Sequence, residues 1–261
     1  MIEFAQQKDI EEIKRLWHTV FGDSKEDIGD YLAKYLDCVL LYRKDRRVVG
    51  MLSMLSVSLK EKKGRYIYAV ATDEDARGKG ISTKLLEYAN RYIKENGECF
   101  SLLVPAQASL FEFYGKRGYK PVYSVRQIEH EKEGFGSSDL EVKKISPEKL
   151  FLMRRRYFAD RNFVEWSVDE LEYIWRMYNG GFFEIKGKKA PAFAVCTFNG
   201  GMLDIKELCC HEEETNECIN ALNSFFDAPH CRAALPGRGK APSAMIYPKD
   251  FDDVYFNLAM D

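Results

Sequence analysis

Two hydrophobic periods alternate along the chain and lay out its elements. Ile10, Ile13, Leu16, Trp17 and Val20 recur at helical spacing, which predicts an amphipathic helix over residues 8 to 20. Phe21-Gly22-Asp23-Ser24 breaks that pattern, and Ser24 with Asp27 caps a second helix running to about Leu36. Val39 to Arg43 and Val48 to Leu59 are rich in Val, Leu and Met, and the polar Lys44-Asp45-Arg46 separates them as the turn of an antiparallel hairpin. A third strand is expected at Arg65 to Thr72. After Arg77 the helical period returns at Leu85, Leu86, Ala89, Tyr92 and Ile93, with Asn96-Gly97 as its stop signal. Cys99 to Val104 is expected as a short buried strand. Leu110, Phe111, Phe113 and Tyr114 lie on a further helix that ends before Gly118, and Val122 to His130 reads as one more strand.

The second half repeats the plan. Glu131 to Ser138 (EKEGFGSS) is polar and glycine-rich, the composition of a linker. Helical patterns lie near 147 to 158 and 167 to 178, followed by strand-like runs at Phe182 to Lys186, Ala192 to Phe198 and Leu203 to Cys210, with Asn199-Gly200-Gly201 as a hairpin turn. A helix at about 213 to 226 and a strand at about 231 to 235 complete it. Two helices, three strands, a helix and a strand thus occur twice. This predicts two related α/β units, residues 1–132 and 139–261, and 261 residues suit two domains of about 130 each.

Charge narrows the partners. Thirty-nine Lys and Arg against 41 Asp and Glu give a net charge of -2, which does not point to nucleic acid or an acidic membrane surface. No apolar run approaches the roughly 18 residues of a membrane helix. The start, MIEFAQQKDIEEIKRLW, lacks the basic and apolar regions of a secretory signal. The seven cysteines are odd in number and scattered, which fits free thiols in a reducing cytoplasm, the expected location.

Candidate chemistry concentrates at Tyr68-Ala69-Val70-Ala71-Thr72-Asp73-Glu74-Asp75-Ala76-Arg77-Gly78-Lys79-Gly80-Ile81-Ser82. A strand feeds a turn of small residues, and a helix begins at once. The first amides of a helix have no intrahelical acceptor, and the helix dipole adds partial positive charge there. Gly78 and Gly80 remove side chains that would hold a diphosphate away, Ser82 adds a small donor, and Arg77 and Lys79 add full charge. The spacing is neither that of a Walker loop nor that of a three-glycine dinucleotide fingerprint. A bare Arg-Gly-Lys-Gly is often just a basic helix start, so its context decides.

That context resembles motif A of the GNAT (GCN5-related N-acetyltransferase) superfamily, Arg/Gln-x-x-Gly-x-Gly/Ala between a strand and a helix. Arg77, Gly80 and Ser82 occupy its key positions, Ser82 standing where the pattern has Gly or Ala. Val70-Ala71-Thr72 is similar to the run before this loop in the enhanced-intracellular-survival branch. The resemblance implies acetyl-CoA as acyl donor, held by Val70, Ala71, Thr72, Arg77, Gly78, Lys79, Gly80, Ile81 and Ser82. It implies a strand splayed from its neighbour, with Val70 and Thr72 bonding the pantetheine arm and an N–H near Thr72 polarising the thioester carbonyl. Leu110-Phe111-Glu112-Phe113-Tyr114-Gly115-Lys116-Arg117-Gly118-Tyr119 looks like the family's x-x-F-Y-x-x-x-G-F/Y ending. By that likeness Tyr114 is the general acid to the leaving thiolate, a role that suits a phenol of pKa about 10. Taken alone, a tyrosine on an apolar face is more often a packed aromatic. Gln107 stands where many relatives carry a pantetheine-contacting Asn.

The fold the resemblance implies is α/β (α+β), a mixed central sheet flanked by helices, in two tandem GNAT-like units with the second degenerate. Relatives of the enhanced-intracellular-survival type add a third domain whose terminal carboxylate serves as base. Residues up to Asp261 leave no room for it, so no base is carried over and neither Glu112 nor Glu207 is assigned. The acceptor is expected to be a small-molecule or peptide amine. An aminoacyl-tRNA-dependent transferase of paired GNAT-like domains and a non-catalytic CoA-binding protein are the alternatives.

Other features carry less. Cys209-Cys210-His211, with Cys218, His230 and Cys231, contains no CxxC pair, and adjacent strand residues face opposite ways, so no metal is expected. Leu235 to Lys240 echoes the cradle, but Pro242 follows and no helix does, which makes it a surface turn. Met153-Arg154-Arg155-Arg156 is expected on a solvated helix face. Tyr157, Phe158, Phe163, Trp166, Tyr173, Trp175 and Tyr178 are core by default, some of them candidates to wall an acceptor pocket between the halves.

Overall fold

The computed structural model describes residues 1–131, 138–186 and 189–258. The segment proposed as a linker falls almost wholly outside them. The chain opens with a short strand, Ile2–Phe4 (β1). Helix α1 (Ile10–Phe21) turns Ile13, Leu16 and Trp17 inward and stops at Gly22, whose φ of 83° lets its amide reach the His18 carbonyl. Ser24 then accepts from the Asp27 amide and starts α2 (Lys25–Tyr35). Strands β2 (Val39–Lys44), β3 (Arg47–Leu59) and β4 (Lys62–Thr72) form an antiparallel meander. Helix α3 (Ile81–Glu95) leads into β5 (Phe100–Leu103), which lies parallel to β4. Helix α4 (Ala108–Gly115) and strand β6 (Lys120–Val122) follow.

Strand β3 is buried almost end to end because both faces of the meander are covered. On one face Trp17 of α1 and Tyr31 of α2 pack against Tyr68, at ring separations of 5.7 and 5.6 Å, and the Tyr31 hydroxyl donates to Ser53 at 2.6 Å. On the other, Leu52, Met54 and Ile67 meet Ile81, Leu85, Leu86 and Ala89 of α3. Alternation along the strands thus serves two helical layers at once.

The later chain repeats this order. It comprises β7 (Val125–Glu131), β8 (Val142–Lys144), α5 (Pro147–Tyr157), β9 (Asn162–Glu165), α6 (Val168–Met177), β10 (Phe182–Lys186), β11 (Pro191–Asn199), β12 (Met202–Cys209), α7 (Thr215–Phe226) and β13 (His230–Pro236). Its sheet runs β8-β10-β11-β12-β13-β7, with β12 and β13 its parallel pair, just as the first runs β1-β2-β3-β4-β5 with β4 and β5 parallel. Two late strands complete the chain, β14 (Ala244–Tyr247) and β15 (Val254–Tyr255).

The compact units are not the contiguous halves 1–132 and 139–261. One comprises Met1–Pro121 with Met245–Phe251, the other Val122–Ala244 with Asp252–Asp261. The strand expected at Val122 to His130 is two strands, β6 and β7, in different sheets. The place beside β5 is taken instead by β14, antiparallel at Met245↔Leu103 and Tyr247↔Ser101. Alternation cannot reveal such an exchange, because partner choice is not written in a strand's own period.

One sequence expectation fails inside the second unit. Arg154, placed on a solvated face, is only 2% exposed and donates to Glu207 at 2.9 and 3.2 Å. It lies four residues from both Leu150 and Phe158, and this helical spacing carries it to the buried face with them. Arg155 and Arg156 do remain exposed.

Gly50 of β3 faces the start of α3, where a Cβ would come within 2.5 Å of Ile81 Cγ2 and 3.3 Å of Leu85 Cδ1. Gly50→Ala is expected to cost about 1–3 kcal/mol of stability through overpacking, read as a lower urea midpoint with unchanged m-value.

Candidate active site

Strand β4 is paired on both edges for only part of its length. Its ladder to β5 runs from Gly64↔Phe100 to Ile67↔Leu103 and ends there. Its ladder to β3 continues to Gly50↔Thr72. Between Ser53↔Tyr68 and Met51↔Ala71, the pair Ala69 and Val70 stands opposite Leu52 alone, a bulge, and Ala69 takes a left-handed φ of 48°. The end of β4 is therefore released from β5 while β3 still holds it. Backbone groups on a released edge need another partner, and a bound ligand can supply one.

Val70, Ala71 and Thr72 are the last three residues of this strand. Val70 and Thr72 are half-buried; Ala71 is fully buried, so only its backbone can face a ligand. The following turn is anchored at Asp73, whose amide donates to the Val49 carbonyl at 2.9 Å and whose carboxylate meets Arg15 at 3.1 Å and Arg47 at 3.4 Å. Arg77, Gly78, Lys79 and Gly80 are all exposed. Arg77 Nε donates to the Thr72 carbonyl at 3.4 Å, and Lys79 Nζ to the Asp75 carbonyl at 2.5 Å. Gly78 and Gly80 adopt φ values of 74° and 73°, and a Cβ at either would meet no atom within 4 Å. Backbone conformation therefore requires the glycines, and the space above them is open.

Helix α3 starts directly after Gly80. Ile81 is sunk in the core by its side chain, while Ser82 shares a 2.8 Å hydrogen bond with Thr72, tying the strand end to the first turn. No acidic residue occupies that first turn, whereas α1, α2, α5, α6 and α7 each carry at least one there. Those five helices use a carboxylate to complement the positive end of their dipole; α3, like the shorter α4, has none there and leaves that end open.

Tyr114 lies on α4, 6% exposed, between Phe113 at 5.1 Å and Tyr119 at 5.9 Å. Burial pushes its phenol up to about 12; Tyr119 adds to the rise and Arg117 opposes it. Tyr119 is likewise pushed up to about 12 by burial, and its hydroxyl closes a buried network with Ser101 at 2.9 Å and Asn90 at 3.3 Å. Gln107 takes the N-cap position of α4, exposed and without a side-chain cap bond.

Sequence reasoning passed over Arg117. Its guanidinium donates to Thr83 Oγ1 in the first turn of α3 at 2.9 and 2.5 Å and to the Phe113 carbonyl at 2.5 Å, and it lies 3.4 Å from the Phe113 ring centroid. Arg117 thereby clamps the helix bearing Tyr114 to the start of α3. Only its place three residues after Tyr114 could have drawn attention to it, since nothing in the sequence joins residue 117 to residue 83.

A sheet covered by helices on both faces thus carries a bulged strand released at its parallel neighbour and a helix that begins just beyond that strand's end. Residues 1–122 match the family described as "Acetyltransferase (GNAT) domain". Known structures extend the likeness of fold across both units. A GCN5-related N-acetyltransferase from Anabaena variabilis superposes with a TM-score of 0.71 at 14% identity, over 94% of this chain and 72% of that one. A putative acetyltransferase from Pyrococcus horikoshii gives 0.65 at 15% identity, over 99% and 94%. Eis1 from Mycobacterium abscessus gives 0.62 at 12% identity, over 91% and 66%. No curated protein matches the chain.

Gly80→Ala places a Cβ in left-handed space without a clash, and the expected cost is about 1–2 kcal/mol, measured by urea unfolding.

Proposed function

We propose that the protein is an acetyl-CoA-dependent N-acetyltransferase that moves an acetyl group to a primary amine on a small molecule or peptide. The observation that carries the reading is the released end of β4 meeting the glycine turn and the uncapped start of α3. A thioester donor has a pantetheine arm that can pair with strand backbone and a diphosphate that suits helix amides. The residues present fit it. Open space lies above Gly78 and Gly80, Arg77 and Lys79 are exposed beside them, and the first turn of α3 offers no competing carboxylate.

In this reading the neutral amine attacks the thioester carbonyl, forming the C–N bond and breaking the C–S bond. A backbone N–H of the β4 end, in the Val70–Thr72 stretch, steadies the oxyanion. The surplus ammonium proton passes to water. Tyr114 sits at the thiolate side. With its pKa near 12 the phenol is neutral at every physiological pH, and it is a weaker acid than a free thiol of pKa about 8.5. Its part is therefore to donate a hydrogen bond that stabilises the departing thiolate; the thiol takes its proton from solvent. This differs from full proton donation by a phenol of pKa about 10, and burial is the reason. Arg117 holds Tyr114's helix in register with the donor's helix.

Calorimetry with coenzyme A and acetyl transfer to an amine panel test this together. Wild type is expected to bind and turn over, and Gly80→Glu to lose binding because a carboxylate fills the turn. Binding without turnover on any amine would leave a non-catalytic CoA-binding protein.

A charged hydrogen bond of about 1.5–3 kcal/mol predicts that Tyr114→Phe lowers kcat by roughly 10- to 100-fold with little change in KM. Activity should rise with pH as the acceptor amine loses its proton, and no falling limb from Tyr114 should appear below about pH 10, since its proton is lost only near 12. A falling limb near pH 8 to 9 that disappears in Tyr114→Phe would remove this account of the residue.

A further inference from the structure

The second unit repeats the broken ladder. Strand β12 pairs with β13 from Met202↔His230 to Ile205↔Ala233 and then runs on to Cys209, held by β11 as far as Phe193↔Cys209. A register shift between Val195 and Cys196 leaves Lys206 as an extra residue, as Ala69 and Val70 make the bulge in β4. A short 3-10 turn, Glu212–Glu214, leads into α7 as Glu74–Ala76 precedes α3. Release from the parallel neighbour, bulge, turn and helix therefore follow in the same order.

In this unit the gap holds protein. Asn257 Nδ2 donates to the carbonyl of Lys206, the first residue past the last β12–β13 pair, at 2.7 Å. Across the gap the Phe256 amide donates to Ser124 Oγ at 3.2 Å, beside the β7–β13 ladder, which reaches Val125↔Pro236. The stretch enters as β15, parallel to β9 at Tyr255↔Phe163. The Tyr255 hydroxyl donates to Glu207 at 2.8 Å, the same carboxylate that receives Arg154, and Trp166 Nε1 donates to the Asn257 carbonyl at 3.3 Å. Phe256 and Leu258 are 3% and 1% exposed. The turn completes the contrast, since α7 begins at Thr215 directly after the acidic Glu212–Glu214, whereas the first unit inserts the exposed Arg77–Gly80 between its acidic Glu74–Ala76 turn and α3.

A bond from the Asn257 side chain to the β12 backbone on one side, a bond from the Phe256 main chain on the other, and the buried Phe256 and Leu258 side chains hold the segment as a groove holds an extended peptide. We propose that the gap between β12 and β13 is a peptide-binding crevice and that Tyr255–Asn257 is its resident ligand, bound in cis. The second unit keeps the construction of a ligand site, and its own chain occupies it. The inference is independent of the identity of the first unit's donor.

Hydrogen exchange on the full chain tests it. Asn257→Ala is expected to raise exchange at the Glu207–Cys209 amides at least tenfold, while Leu203–Ile205, inside the ladder, stay as in wild type. Trp166→Phe, which removes the indole N–H that donates to the Asn257 carbonyl and thins the ring packed on Phe256, should also raise exchange at the same amides. A synthetic peptide of sequence DDVYFNL, copying residues 252–258, should restore protection to Asn257→Ala at millimolar concentration. Unchanged exchange at Glu207–Cys209, an equal rise over the whole unit, or failure of the peptide to restore protection would each overturn the proposal. Coenzyme A calorimetry on the same samples separates the two questions. Absence of binding in wild type would sink the proposed function while leaving the exchange result to decide the crevice.

Discussion

A strand that keeps one neighbour and loses the other is the constraint on which this protein is built. Inside a sheet every backbone group of β4 would be paired and nothing could approach it. As the ladder to β5 ends at Ile67 while β3 holds on to Thr72, the strand end is held on one edge and released from the sheet on the other. Unpaired N–H and C=O groups inside a fold are costly to leave unmet, so such an edge selects a partner with matching backbone-like polarity. The bulge at Ala69 and Val70 re-aims the strand there, and the Thr72–Ser82 bond fixes the helix start against it.

The two units meet the same constraint with opposite chemistry. The first follows its released strand with left-handed glycines, exposed Arg77 and Lys79 and a helix start free of carboxylates, so the edge is open and bordered by positive charge. The second runs from its acidic turn straight into α7, with no basic glycine stretch between, and covers the edge with Asn257. The buried Arg154–Glu207 pair belongs to this second solution. A fully buried carboxylate is tolerated only when its lone pairs are met, and Arg154 and Tyr255 meet them. Repetition of a fold thus does not repeat its chemistry, because the chemistry lies in turn residues and in what covers the gap.

Around Tyr114, burial and charge act against each other. Desolvation raises the phenol pKa and the nearby Arg117 cation lowers it, with burial prevailing. The outcome is a neutral donor that stays neutral, suited to hydrogen bonding an anion rather than surrendering its proton. The same Arg117 joins α3 to α4 through Thr83 and the Phe113 carbonyl, so the side chain that opposes the rise in the phenol's pKa also fixes the placement of its helix.

Much was legible in the sequence because it is local. Helical and strand periods, the Ser24 cap, the Asn199-Gly200-Gly201 turn and the strand–turn–helix around Arg77 to Ser82 all depend on neighbours a few residues apart. The doubled element order was legible for the same reason. Tertiary structure alone decided what depends on distant partners: that β14 and not β7 lies beside β5, that Arg154 meets Glu207, that Arg117 reaches Thr83, and that Asn257 closes the second gap. A strand's period states which face is apolar but not which edge it will pair, and a charged residue's letter does not tell whether a carboxylate waits in the core. Those choices are made by the packed whole, where the cost of an unpaired polar group is felt.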